Sequence, residues 1–328
     1  MAWPLTMISS CAAFAQQQGE SLIGTAPPTR QFVLIECPHP WAEAMAQSRG
    51  LPLSMAVQIQ HWAQQWPDTQ FLLFTGQRLP SCSCQSLNLQ SRRILIFEAP
   101  ENRVQTYRVM QIEVATPDHL TAALADWFAA RTRGKWPKAA HALTGRHIFV
   151  CTHGRHDRCC GRYGYPFYRQ AKALVESLEQ AQRLPRSGIH VWQVSHIGGH
   201  RFAPTLIDLP EGRYYGSLTL ADWQLLLLRQ GSLSLLSRIY RGWALLPAPV
   251  QVLERFLWQQ QGWSWLEQPV DYTLKPVSAV AQPFAQAAPL PSWQVEFTWG
   301  ETWHWRASLH PAPTLSCTVL DPVVITSL

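Results

Sequence analysis

The chain reads as a mixed α/β protein, and two observations lead to that class. Short runs rich in Val, Ile, Leu and Phe recur between stretches of helical spacing. At 328 residues the chain is also long enough for about two compact units, each with a core of ordinary size.

The elements follow in order. Gln31-Phe-Val-Leu-Ile-Glu36 is a buried strand, and Leu53 to Trp66 carries helical spacing. Phe71-Leu-Leu-Phe74 and Ile94-Leu-Ile-Phe97 are further strands, while Val104 to Val114 alternates in part, as an edge strand does. Pro117-Asp118 opens a helix over His119 to Ala130. Arg131-Thr-Arg-Gly-Lys-Trp-Pro-Lys138 combines charge, Gly and Pro and marks an exposed connection. A second unit begins near His141. In it, the strand His147-Ile-Phe-Val150 runs into Cys151, and a turn at Gly164-Tyr-Pro166 precedes a helix over Tyr168 to Glu179. The strand Ile189 to Val194 runs into Ser195-His196. Phe202 to Leu209 and Tyr214 to Leu218 form a strand pair, and a helix over Ala221 to Arg229 closes the unit. This order of elements suggests a thioredoxin-like layout. Beyond about residue 234 come helical Leu235 to Arg241 and Val250 to Gln260, a Pro-rich connection at 275–291, and a hairpin around Gly300. The hairpin's Trp293, Trp299, Trp303 and Trp305 are read as packing residues. The only shared feature of the two units is that each opens with a strand followed by a helix.

Lys plus Arg number 27 against 21 Asp plus Glu, and charged residues make up 15% of the chain, below the usual quarter or so. The basic excess gathers between Arg131 and Lys172, with Arg155, Arg158 and Arg162 inside it, and reads either as a docking face for an acidic partner or as a solvated basic face without one. No recognised nucleic-acid motif accompanies that charge, and nucleic acid is not expected as a partner. Eight cysteines with irregular spacing make no disulfide scaffold; thiolates reserved for metal in a reducing compartment fit better. The opening Met-Ala-Trp-Pro-Leu-Thr-Met-Ile-Ser-Ser-Cys11 is leader-like, yet Pro4 interrupts it and no Lys or Arg precedes Arg30. A cytoplasmic protein is expected. No apolar run reaches the roughly 20 residues that span a bilayer.

The chemistry gathers in two segments. Cys151-Thr-His-Gly-Arg-His-Asp-Arg-Cys159-Cys160 has eight residues between its outer thiols and the composition of a loop. His196-Ile-Gly-Gly-His200 would put both imidazoles on one face of a helix, although Gly198-Gly199 argues against helix. Two sulfurs and two nitrogens suit zinc, and equally a 2Fe-2S cluster in which histidines replace cysteines on one iron. Zinc sites usually pair cysteines two to four residues apart, so the longer spacing leans toward the wider cluster.

These segments resemble those of the sucrase/ferredoxin-like family, a branch of the thioredoxin-like 2Fe-2S ferredoxins. The matching residues are Gly24-Thr-Ala26, Cys151-Thr-His-Gly154, Asp157, Cys160-Gly161, Val191-Trp192, Ser195-His-Ile-Gly-Gly-His200-Arg-Phe-Ala203, Leu209-Pro210 and Tyr215-Gly216. The resemblance implies a 2Fe-2S cluster on Cys151, Cys160, His196 and His200. The ligand cysteine directly before Gly is Cys160 and not Cys159. It also implies a thioredoxin-like unit over 139–233, a second over 1–138 without ligands, and a helical and hairpin extension over 234–328. Asp157, Arg155 and Arg201 are candidates to support or tune the site. Cys37, Cys82, Cys84 and Cys317 read as ordinary thiols, and no carboxylate pair of a hydrolase accompanies the family name.

The chemistry expected is electron transfer with an external redox protein or reductase, since no Gly-x-Gly-x-x-Gly fingerprint marks a nucleotide of its own. Proton uptake at the histidine rings is expected to accompany the electron. The competing readings are a structural zinc protein on the same four ligands and a thiol enzyme with Cys160 as nucleophile and His196 as base.

Overall fold

The computed structural model describes residues 10–76, 91–101, 104–186, 188–277, 292–299, 303–311 and 317–326. Cys82, Cys84, Gly300, the opening residues 1–9, most of the Pro-rich connection and the side chains of Trp303, Trp305 and Cys317 lie outside the described residues.

After a short helix α1 (Cys11–Gln17), the apolar run Gln31–Glu36 forms β1, buried along its whole length. Helix α2 (Met55–Gln65) follows because Met55, Ile59 and Trp62 fall on one stripe at i, i+4 and i+7. Strand β2 (Thr69–Thr75) returns parallel to β1. On the other side of β1, β3 (Arg92–Glu98) runs antiparallel to it, and β4 (Arg108–Val114) runs antiparallel to β3. Helix α3 (Leu120–Arg131), entered through a 3-10 turn at Pro117–His119, adds Leu120, Leu124, Trp127 and Phe128 to the core under α2. A two-residue strand β5 (His141–Ala142) pairs with β4.

The same succession then repeats, through β6 (Arg146–Cys151), α4 (Tyr165–Gln180), β7 (Ile189–Val194), β8 (Leu206–Leu209), β9 (Arg213–Tyr215) and α5 (Leu220–Leu228). Strand β7 is parallel to β6, β8 antiparallel to β6, and β9 antiparallel to β8. The two halves therefore share strand order, strand sense and helix placement: β2-β1-β3-β4 in one and β7-β6-β8-β9 in the other. Each is a thioredoxin-like arrangement. Beyond the opening strand and helix, this repeat is carried by topology and not by sequence pattern.

Helix α6 (Leu236–Ile239) leads into β10 (Tyr240–Trp243), which pairs with β9 and extends a single sheet of ten strands. Helix α7 (Ala248–Gln261) follows. Strands β11 (Val270–Val277), β12 (Ser292–Trp299), β13 (Trp303–Pro311) and β14 (Cys317–Thr326) make a separate four-stranded antiparallel sheet. Trp265 packs edge-on against Phe297 and Trp299, joining that sheet to the large core. No helix among the described residues is long and apolar enough to cross a membrane.

Three local expectations need correction. Gly164-Tyr-Pro166 is not a turn: a π-helical turn over Cys160–Gly164 continues straight into α4. Pro166 falls just past this junction and lacks the N–H that would continue the ladder back into the π-helical turn. The helical stretch expected to reach Arg241 stops at Ile239, because Tyr240 to Trp243 give their backbone to β9 and Gly242 adopts φ +136°. The strand expected from Phe202 starts only at Leu206, since His200–Phe202 is a 3-10 turn and Pro204 has no N–H to give.

The two halves of the large sheet meet where β2 pairs antiparallel with β7, through Phe74 opposite Val194 and Thr75 opposite Gln193. Ser195 extends this short ladder. Its N–H donates to the Leu73 carbonyl at 2.8 Å, and its buried hydroxyl accepts the Leu73 N–H at 2.9 Å. Ser195→Ala leaves that buried N–H without a partner, so a loss of about 1–3 kcal/mol is expected. Urea denaturation of the variant measures it, and an unchanged midpoint would contradict the role assigned to the hydroxyl.

Candidate metal centre

Strands β6 and β7 are parallel neighbours with Cys151 opposite Val194, so their carboxyl ends open on the same side. That is where open α/β sheets bind ligands. Cys151 is the last residue of β6, and His196 lies two residues beyond the end of β7.

The segment from Cys151 to Cys160 is a loop only over residues 152–157, which corrects the expectation of a loop throughout. The Asp157 carboxylate accepts the Cys159 N–H at 2.7 Å, and helical backbone begins at Arg158. The π-helical turn then carries Cys160 back over the end of β6. Gly164 makes this approach feasible, because a Cβ there would lie 1.9 Å from the Cys151 carbonyl oxygen. As a result, one ligand atom from each of Cys151, Cys160 and His196 lies within 4.8 Å of the other two. The Cys160 sulfur is 3.5 Å from His196 Nδ1.

His200 stands just outside this group. Its ring centroid is 6.1 Å from that of His196, and its Nδ1 is 3.5 Å from the Asp157 carboxylate. Between the histidines, Gly198 and Gly199 adopt φ +79° and +72°, a left-handed turn that leaves no helix. Both thiols are buried, while the His200 side chain is 40% exposed. The sulfurs thus face the core and the imidazoles face outward.

The other cysteines and histidines have different surroundings. Cys159 is buried among Ala12, Ala203 and Tyr163, in a small cluster apart from the three-residue group. Cys37 is buried and its thiol pushed up to about 11 by burial. His153 bonds the Ala42 carbonyl through Nε2 at 2.7 Å, and its Nδ1 accepts the His196 N–H at 3.4 Å. Burial holds His153 below the usual imidazole range, so it is neutral with its proton on Nε2. His156 stacks on the His196 ring at 4.1 Å and meets the Glu43 carbonyl. The loop after β1 therefore braces the ligand loop, a role for the first half that sequence alone did not reveal.

Of the supporting candidates, Asp157 lies between the Cys159 N–H and His200, as described. Arg155 is exposed. Arg201 turns aside to pair with Glu20 at 2.6 Å and to cover the Phe202 ring. Sequence reading missed Arg241, which is buried beneath the histidine turn; the available signal was a lone cation between buried aromatics in Tyr240-Arg-Gly-Trp243. A hydrogen bond from Cys160 holds the Cys151 thiol well below its ordinary range, and the same bond pushes Cys160 up.

The two buried thiols and the His196 imidazole form a donor set that can hold a metal, with the His200 ring 6.1 Å from that of His196. Among the described residues the first half has no equivalent group. Cys37 N–H bonds the Phe74 carbonyl as Thr152 N–H bonds that of Val194, so Glu36 occupies the place of Cys151. Glu36 is closed off there by a bidentate pair with Arg93.

Among solved structures, a thioredoxin-like [2Fe-2S] ferredoxin from Aquifex aeolicus is similar at 18% identity, over 27% of this chain and 81% of that one, with a TM-score of 0.22. No curated protein matches the chain. The family model for sucrase/ferredoxin-like proteins matches residues 22–242, two thirds of the chain, and the chain belongs to that family.

Proposed function

We propose that this protein is an electron carrier that holds one 2Fe-2S cluster on Cys151, Cys160, His196 and His200. The observation that carries this reading is the convergence of the first three donors within 4.8 Å at the ends of two adjacent parallel strands. Family membership and the sulfur-in, imidazole-out arrangement support it further. Such a centre supplies one-electron uptake at a potential above the roughly −400 mV of plant-type ferredoxins, because neutral imidazoles replace two thiolates.

The residues of the chain divide the remaining work. Cys151 and Cys160 supply the negative charge from the buried side. His196 and His200, nearer the surface, give the shortest route to a partner, and at a pH where the oxidised centre would have lost the proton of an outer ring nitrogen, that nitrogen would take one up when the electron arrives. Exposed Arg155, Arg158 and Arg162 lie on the ligand loop and the turn that follows. Their charge suits a redox protein or reductase with an acidic docking face.

A second reading, a single zinc ion on the same residues, draws on the 3.5 Å separation of Cys160 and His196. That distance suits two donors on one tetrahedral ion with bonds of about 2.0–2.3 Å.

Anaerobic purification followed by an absorption spectrum and metal and sulfide analysis separates the two. The expected result is brown protein with about two irons and two sulfides per chain. Cys160→Ala is expected to lose the iron, and Cys159→Ala to keep it; colourless protein with one zinc overturns the electron-carrier reading. In redox titrations the potential is expected to fall with rising pH, by up to about 59 mV per unit for one proton per electron. A flat profile removes the proton coupling. Electron exchange with an acidic redox protein is expected to slow as salt rises, and a rate indifferent to ionic strength removes the acidic docking partner.

A further inference from the structure

We propose that Arg241 is a positioning residue for this site, one that clamps the Gly198-Gly199 turn and holds a fixed positive charge that favours arrival of an electron. The inference rests on the cluster reading and adds to it a residue outside the ligand segments.

Arg241 lies in β10, at the far end of the second half from the junction with β2, and is 1% exposed. Its guanidinium donates through Nη1 to the Gly198 carbonyl at 3.0 Å. Through Nε it donates to Thr25 Oγ1 at 3.1 Å, and through Nη2 to the Thr25 carbonyl at 2.7 Å. In return, the Arg241 carbonyl accepts the N–H groups of Thr25 and Ala26. One residue thus ties Gly24-Thr-Ala26 to the turn between His196 and His200.

The turn is shaped to the guanidinium. A Cβ on Gly199 would lie 2.6 Å from Cζ and 2.7 and 2.9 Å from the two terminal nitrogens. The peptide at Gly199 therefore lies directly against the guanidinium, and a side chain there would displace it. Tyr214 and Phe202 line the charge elsewhere, with ring centroids at 5.3 and 5.9 Å.

Its surroundings set Arg241 apart electrically. Arg213, also buried, and the half-buried Arg146 meet the carboxylates of Glu254 and Asp208 at 2.5 Å. Among the described residues, no carboxylate lies within ion-pair distance of Arg241. The groups that act on it electrostatically are Tyr214, which keeps its proton at physiological pH, the like charge of Arg201, and the sulfurs of Cys151 and Cys160. Burial lowers its pKa to about 10, which still leaves it a cation at pH 7. A buried cation without a counter-charge is costly, and each added negative charge at the sulfurs relieves that cost. An electron supplied by the external redox partner does the same, so the charge favours the reduced site.

The test compares midpoint potentials of the iron-loaded wild type, Arg241→Gln and Arg241→Lys, after iron and sulfide are counted in each. Gln is expected to make electron uptake at least tenfold less favourable, a fall of about 59 mV. Lys, which keeps the charge and loses the fork, is expected to stay within tenfold of wild type. A clamp without electrical effect moves neither potential, and a loaded Gln variant at the wild-type potential overturns the proposal. If Gln cannot be loaded, Lys decides: loading near the wild-type potential supports the charge, and failed loading or a tenfold fall overturns it. A wild-type chain without iron removes the cluster reading itself, a result distinct from an iron-loaded chain with an unmoved potential.

Discussion

The short antiparallel contact between β2 and β7 is the constraint from which the rest of the architecture follows. Each half, taken alone, would leave one of these strands as an open edge with unpaired backbone groups. Pairing the two edges removes both at once and fuses eight strands into one sheet before β5 and β10 extend it. Because Ser195 continues the ladder, the contact also fixes the residue immediately before His196. Assembly of the two halves and placement of a candidate ligand are thus one event.

The same pairing brings the carboxyl ends of β1 and β6 toward a common region, and the chain uses them differently. Glu36 and Cys151 hold matching positions, yet Glu36 is saturated by the Arg93 fork and the backbone N–H of Arg93. A carboxylate so occupied has little left to offer a metal. Arg93 also lies over the Trp192 ring of β7, so the ion pair becomes part of the packing between the halves. The first half then contributes by bracing: Ala42 and Glu43 meet His153 and His156, which in turn support the backbone and ring of His196. Among its described residues the first half gathers no such group of donors, and it stands as a wall against the half that does.

Much of this was legible in the sequence wherever one period dominated. The strands ending at Glu36 and Val194 match the observed ones residue for residue, because continuous apolar runs in a doubly covered sheet have one reading. The loop to Cys160 was misread at its end, since Gly, charge and aromatic residues there signal a turn locally. Only the fit of Gly164 against the Cys151 carbonyl makes the π-helical turn compact. Spacing singled out two pairs of candidate donors, but not that His200 stands outside the group that the other three form. The local pattern Tyr240-Arg-Gly-Trp243 marks Arg241 as unusual but does not give its partners, which lie 216 and 43 residues away in the chain.

Buried charge separates the scaffold from the site. Arg213 with Glu254, Tyr240 and Trp265, and Arg146 with Asp208, are complete within the protein, so they hold the fold together whatever the site contains. Removing one partner from such a pair leaves a bare charge, which is why networks of this kind resist change. Arg241 is different in kind. Its hydrogen bonds are satisfied by backbone and hydroxyl oxygens, which orient the guanidinium and leave its charge unmatched. The charge balance around the Gly198-Gly199 turn then depends on what the sulfurs of Cys151 and Cys160 carry. Whatever binds those sulfurs therefore changes the charge that Arg241 faces, while the paired arginines of the scaffold keep their own carboxylates.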